Sequence, residues 1–152
     1  MLKRNENASF DLLAFFEGRT NASGVFEDRS GRIKRRFTVG LVGIASGNTL
    51  MLDEDFLFDD GERQHRTWSL TRGDSQNFTG TCEDAVSVAH GRFDSGRAYL
   101  VSELRLAVGS RMIAMTFDDV FYETGDGTVL NRSTVSKWGI RLGQVLIIFR
   151  KS

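Results

Sequence analysis

Along most of the chain, apolar and polar residues alternate with a period of two, as in "RRFTVGLVGI" and "RAYLVSELRLAV". That is the signature of strands with one face packed and one face wet. Stretches of roughly 8–12 residues with this pattern are separated by turn signals, the spacing of an all-β sandwich or barrel. The pattern predicts strands over approximately 19–28, 32–44, 48–58, 62–71, 77–82, 86–94, 97–108, 111–123, 128–138 and 140–150. Only "SFDLLAFF", Ser9 to Phe16, predicts a helix, with Ser9 as its cap, an apolar stripe of Phe10, Leu13 and Ala14, and Gly18 as its stop.

The connections are short, so successive strands are expected to be antiparallel neighbours in an up-and-down meander. A sheet of that many strands leaves long edges unless it closes. The predicted fold is therefore a single antiparallel up-and-down β-barrel of the lipocalin or calycin kind, with eight to ten strands and a short N-terminal helix plugging one end. A barrel of that size can hold one small ligand. A two-sheet sandwich is the alternative. One domain is expected over 1–152, with residues 1–8 as a disordered tail. The last strand, "IRLGQVLIIFR", is apolar on both faces toward its end, which implies cover from outside; the helix is the candidate.

Turn chemistry sharpens one hairpin. In "LDEDFLFDDGERQHRTWSL" the acidic residues Asp53, Glu54, Asp55, Asp59, Asp60 and Glu62 look at first like one cluster. A loop of Asp59, Asp60 and Gly61, with Gly61 in the left-handed position of a bulge, separates them. Leu50 then faces Leu70, Leu52 faces Trp68, Glu54 faces Arg66 and Phe56 faces Gln64. Asp53 and Asp55 point to the other face with His65, and the rest lie in the loop. Glu54 and Arg66 are thus predicted as an inward ion pair among apolar neighbours, either fixing register or anchoring a ligand at the floor of a pocket.

A second polar patch is predicted on "IAMTFDDVFYE". Met115, Phe117, Asp119 and Phe121 share one face, and Thr116, Asp118, Val120 and Tyr122 share the other. The following strand, "TVLNRSTVSKW", is polar on both faces. The two glycines of "ETGDGT" leave the register open, so Asp119 can face Asn131, Arg132 or Ser133. The candidate ligand-binding residues are Glu54, Phe56, Arg66, Trp68, Phe117, Asp119 and Arg132, with Leu50, Leu52 and Phe121 extending the apolar wall.

Composition mainly excludes. The 20 Lys and Arg balance the 20 Asp and Glu, so no field steers the chain to nucleic acid. The run Arg29 to Arg36 straddles a turn, which splits its charges between faces. Cys82 is the single cysteine, without a metal-binding neighbourhood. The acidic hairpin lacks the ligand spacing of a calcium loop, so no metal and no cofactor are implied. No apolar run spans a bilayer and no signal segment is read at the N-terminus, so the chain as given is expected in the cytoplasm. Oligomeric state is not legible.

The blocks "FFEGRTNASGVFEDRSGRIKRRFTV", "LDEDFLFDDGERQHRTWSLTR", "FDDVFYE" and "LNRSTVSKWGIRLGQV" resemble a bacterial family known as domain of unknown function 3833. The likeness runs from about Phe15 to Arg150. It implies a lipocalin-like fold and carries no established activity. Some relatives resemble membrane-anchored lipoproteins. Where the family pattern places Trp after the Asp pair, this chain has Val120.

The expectation is a barrel that binds a small hydrophobic or amphiphilic, lipid-like molecule. Two other readings stay open: a protein-interaction module with large exposed apolar patches, and a barrel enzyme of the isomerase or cyclase type. The latter would use Glu54 or Asp119, with Tyr122, as acid and base. Its mark would be a carboxyl of strongly raised pKa that lines a pocket and lacks an arginine partner.

Overall fold

The computed structural model describes residues 10–74 and 76–152. Ten strands follow a one-turn helix: α1 Leu12–Phe15, β1 Gly18–Asp28, β2 Ile33–Ser46, β3 Thr49–Phe58, β4 Arg63–Arg72, β5 Asn77–Thr81, β6 Ala89–Asp94, β7 Arg97–Val108, β8 Arg111–Glu123, β9 Thr128–Lys137 and β10 Ile140–Lys151. Every strand pairs antiparallel with its chain neighbour, and β1 pairs with β10. The sheet is a closed meander barrel and has no free edge. The strands expected from alternation all form, with ends displaced by only a few residues.

Alternation now has a physical sense. In β2, Phe37, Val39 and Leu41 are buried while Arg36, Thr38 and Gly40 are exposed. The same parity places the interior side chains of each strand toward the lumen. Gly61 takes φ 87°, and the loop is closed by its N–H donating to the Phe58 carbonyl at 2.9 Å. The ladder pairs Leu50 with Leu70, Leu52 with Trp68, Glu54 with Arg66 and Phe56 with Gln64, as the loop assignment requires.

The helix differs from its prediction. It is a single turn, capped by Asp11, whose carboxylate accepts from the Ala14 N–H at 3.1 Å. Ser9, the expected cap, lies outside the described residues, as does the predicted tail of residues 1–8. Ala14 is exposed, and the buried positions are Phe10, Leu12, Leu13 and Phe16. Asp11 prevails because its carboxylate also takes two hydrogen bonds from the Arg72 guanidinium at the end of β4, at 3.0 and 2.8 Å. Lys151 Nζ donates to the Phe15 and Glu17 carbonyls at 2.6 and 2.7 Å, so β10 holds the helix end.

The helix does plug one end of the barrel; it does not cover β10 from outside. Phe16 packs edge-on against Phe149 at a centroid distance of 5.0 Å and against Phe121 at 6.4 Å, inside the wall. Gly43 permits this approach, since a Cβ there would sit 1.9 Å from the Phe16 carbonyl oxygen. The outward residues Leu146 and Ile148 of β10 are only half-buried, so the double-sided apolar pattern needs no outer layer. Gly143 marks a register shift against β9, the bend its position suggested.

The buried side chains concentrate at the helix end, where Phe10, Leu12, Leu13, Phe16, Leu50, Leu70, Phe78 and Phe149 form a continuous cluster. The opposite end carries the turns at 29–32, 59–62, 109–110 and 138–139 and stays open. No helix among the described residues is long and apolar enough to cross a membrane.

Candidate functional site

Between the plugged end and the open end lies a cavity of about 810 Å³. That volume is within the range of small-molecule sites, about 300–1,000 Å³. Its wall is mainly apolar, with Leu52, Phe56, Trp68, Leu100, Phe117, Phe121 and Ile147 contributing from strands β3, β4, β7, β8 and β10. The interior is hollow because ten strands set a wider barrel than the side chains fill. The mouth is narrowed by Arg35, which stacks 3.6 Å over the Phe58 ring and binds Asp60 and Glu62 at 3.1 and 2.9 Å.

A polar belt crosses this apolar lumen. On β3, Glu54 projects inward from between Leu52 and Phe56. On β8, Asp119 projects inward from between Phe117 and Phe121. Strands β3 and β8 are five places apart in a ring of ten, so the two carboxyls arise from opposite walls. Both sit deep among protein atoms yet retain accessible surface, and that surface faces the cavity.

Burial pushes the Glu54 pKa up to about 7. Nearby Asp119 and Glu83 add to the rise, while the Arg66 charge and the Trp68 indole N–H oppose it. Burial likewise pushes Asp119 up to about 6, aided by Asp118 and opposed by Asn131 and Ser133. Near neutrality Glu54 is therefore divided between its protonated and charged forms, while Asp119 takes up its proton about one pH unit lower.

The predicted Glu54–Arg66 ion pair does not form. The two residues are opposite in the ladder, as expected, but Arg66 turns its Nε–H to Asp84 Oδ2 at 3.1 Å. Asp84 belongs to the β5–β6 loop, which runs between β4 and β7: the Thr67 N–H donates to Glu83 and the Arg105 N–H donates to the Asp84 carbonyl. A loop carboxylate reaches the guanidinium with less desolvation than the buried Glu54 would suffer, and so it wins. Arg66 still lies over the Phe56 ring, at 5.5 Å.

Arg132 corrects a second expectation. It is exposed on the outer face, where its guanidinium donates to the Tyr122 hydroxyl at 3.2 Å. The β8–β9 register pairs Asp119 with Ser133 and Phe121 with Asn131. Asn131 and Ser133 are the inward residues, both buried at 3 % exposure. Asn131 Nδ2 donates to Asp119 Oδ1 at 3.2 Å and to the Val120 carbonyl at 3.2 Å. Ser133 Oγ is near enough to favour the charged form of Asp119, but it makes no hydrogen bond of ordinary geometry and is an unpartnered buried hydroxyl. Asn131 and Ser133 were legible in part: Val129 and Val135 share their parity, and a strand face with two valines and no charge until Lys137 is the inner one.

The structure thus gathers Glu54, Phe56, Arg66, Trp68, Phe117 and Asp119 around one lumen and leaves Arg132 outside. Tyr122 is also outside, so it cannot serve either lumen carboxyl as acid or base. His65 bonds Asp55 at 2.7 Å on the outer face. Val120, where the family pattern has Trp, pairs with Arg132 and Tyr99 on the outer wall, so that departure does not reshape the lumen. Cys82 is a free thiol, half-buried, and burial pushes its pKa up, which makes it a poor nucleophile. Among the described residues, no three His, Cys, Asp or Glu side chains are grouped to hold a metal ion.

The sequence matches the family described as "Protein of unknown function (DUF3833)" over residues 2–151, and the chain belongs to that family. No curated protein matches the chain. Among solved structures, an S-type phycobiliprotein lyase from Guillardia theta matches with a TM-score of 0.72 at 8% identity, over 99% of this chain and 98% of that one. At that identity the likeness is one of fold: both chains are lipocalin-like barrels.

Proposed function

We propose that the barrel binds one small amphiphile in its lumen, with the tail along the aromatic and aliphatic wall and the polar head at the belt of Glu54, Asp119, Asn131 and Ser133. The observation that carries this reading is the open cavity of about 810 Å³, apolar over most of its wall and polar at one depth. An apolar wall supplies affinity in proportion to the tail area withdrawn from water, and a few convergent polar groups fix orientation. Arg66, held by Asp84, borders the belt and limits how far a head can shift.

The reading is tested by displacement of Nile red, a neutral apolar dye. The dye is expected to brighten on binding and to be displaced by dodecanol. Leu100→Trp, which fills the lumen, is expected to abolish both effects while the protein stays folded. Unchanged dye binding in that variant would place the dye on the outer surface and sink the reading.

A second reading has its own support. Glu54 and Asp119 have raised pKa values, line an accessible cavity and lack a direct arginine partner, which is the mark expected of an acid–base barrel enzyme. The fold neighbour is itself a lyase. Proton transfer to or from a bound ligand by Glu54 is separated from simple binding by one observation: exchange of ligand protons with deuterated water that disappears in Glu54→Gln.

A further inference from the structure

The charges along the lumen are not evenly compensated. At the mouth, Lys34 lies 3.6 Å from Asp28, and Arg35 is held by Asp60 and Glu62. Arg105 is exposed beside the β5–β6 loop. Deeper in, the cation is Arg66, and its Nε–H is committed to Asp84 at 3.1 Å. The other charged groups bearing on the belt are acidic: Glu83, whose carboxylate takes the Thr67 N–H at 3.2 Å, and Asp118 on the outer face behind Asp119. Glu54 and Asp119 therefore face the cavity with no cation of their own. Beside them, the Ser133 hydroxyl oxygen, in a residue only 3 % exposed, lacks a partner.

From this placement we infer that the head group of the ligand is a cation bearing N–H donors, such as a primary amine, seated between Glu54, Asp119 and Ser133 Oγ. The inference rests on the amphiphile-binding reading and names the class of head.

An anionic head, such as a fatty-acid carboxylate, would be repelled by two carboxyls, and the Arg66 guanidinium beside them already has Asp84 to balance its charge. An ammonium can donate to both carboxylates and to the serine oxygen, forming charge-assisted bonds where water is scarce. It would also displace the protons that burial keeps on Glu54 and Asp119. Binding of such a cation must then strengthen as pH rises, because fewer protons remain to be expelled.

The test is calorimetric titration of the full chain with dodecylamine, dodecanol and dodecanoate, which share a tail and differ in the head. The expected order at about pH 8 is amine tightest, by about tenfold or more over the alcohol, with the carboxylate weakest. The amine's advantage should shrink toward about pH 5.5, where both carboxyls are protonated, while the alcohol's affinity stays level. Glu54→Gln and Asp119→Asn should each reduce the amine's advantage and spare the alcohol. Should either variant fail to fold, the pH profile of the unaltered protein carries the same test. Dodecanoate binding as tightly as the amine overturns the inference, and so does an amine advantage that survives both substitutions. If dodecanol binds but the amine has no advantage, the head-group inference falls and the binding reading stands. If none of the three binds, both fall.

Discussion

Two sets of carboxylates in this barrel meet opposite surroundings. Asp28 and Asp126 sit at hairpin turns near the surface, Asp28 half-buried and Asp126 exposed, and hydrogen bonds from turn N–H and hydroxyl groups hold their pKa values down to about 2. Asp28 takes the Ser30 and Arg32 N–H groups at 2.9 and 3.1 Å; Asp126 takes the Thr128 N–H at 3.1 Å and the Thr124 hydroxyl at 2.6 Å. Glu54 and Asp119 face the lumen, where the loss of water outweighs the few donors and raises them to about 7 and 6. The same chemical group closes a turn in one place and strains against the fold in the other. Carboxylates kept where they oppose stability need another reason for being there, and a ligand supplies one.

The largest expected effect comes from Arg66→Met. It removes the charge that lowers the Glu54 pKa and strands Asp84, so it is expected to destabilise the barrel by about 2–3 kcal/mol, less than a fully buried pair because Asp84 is partly wet. Urea unfolding measures the loss, and the Glu54 pKa should climb further above 7. An unchanged Glu54 pKa would show that Arg66 does not act on it.

Glu54→Gln should act in the opposite sense. The folded protein holds the Glu54 proton more tightly than the unfolded chain does. Its contribution to stability is therefore complete below about 4.5 and is lost as pH rises through about 7. The substitution removes that loss, so the variant should be more stable than the parent by about 2 kcal/mol above neutrality and nearly equal to it in acid. Asp119→Asn should behave alike across a lower window, from 3.8 to about 6. Its gain is smaller, about 1 kcal/mol, because it also disturbs the bond from Asn131. Thermal melts at several pH values separate the two windows.

Asp126→Ala is the smallest expected change and has the reverse sign. Lowered in the fold, Asp126 stabilises above its ordinary value of 3.8, and that contribution disappears as pH falls through about 2. The variant should melt slightly earlier at neutral pH and match the parent in strong acid. A melt that is equally early at every pH would mean that the turn's shape, and not the carboxylate's charge, is what Asp126 provides.

How far the sequence could be read follows from what controls each feature. The strands and the β3–β4 register were legible because period-two alternation and a single left-handed glycine, Gly61, leave one consistent pairing. The β8–β9 register was not, because Gly125 and Gly127 both take positive φ and either could set the turn. That ambiguity put Arg132 among the candidate lumen residues in place of Asn131 and Ser133. Asp84 was out of reach for a different reason. It acts from an irregular loop whose path is fixed by backbone contacts to β7, such as the Arg105 N–H donating to its carbonyl at 2.8 Å. Periodicity carries no signal for such contacts. The helix was overextended because a capping serine and an apolar stripe describe helix propensity, whereas tertiary bonds to Arg72 and Lys151 set its actual length. The cavity itself is a property of strand number and side-chain volume together, which alternation alone does not report.

The central claim is that Glu54 and Asp119 face the mainly apolar lumen without a cation of their own. Carbon-13 NMR of the side-chain carboxyls, followed against pH in the free protein, tests it most directly. The two resonances are expected to titrate at about 7 and about 6. Midpoints near the ordinary values of 4.5 and 3.8 would mean that water or a cation already satisfies both groups, and would contradict the account.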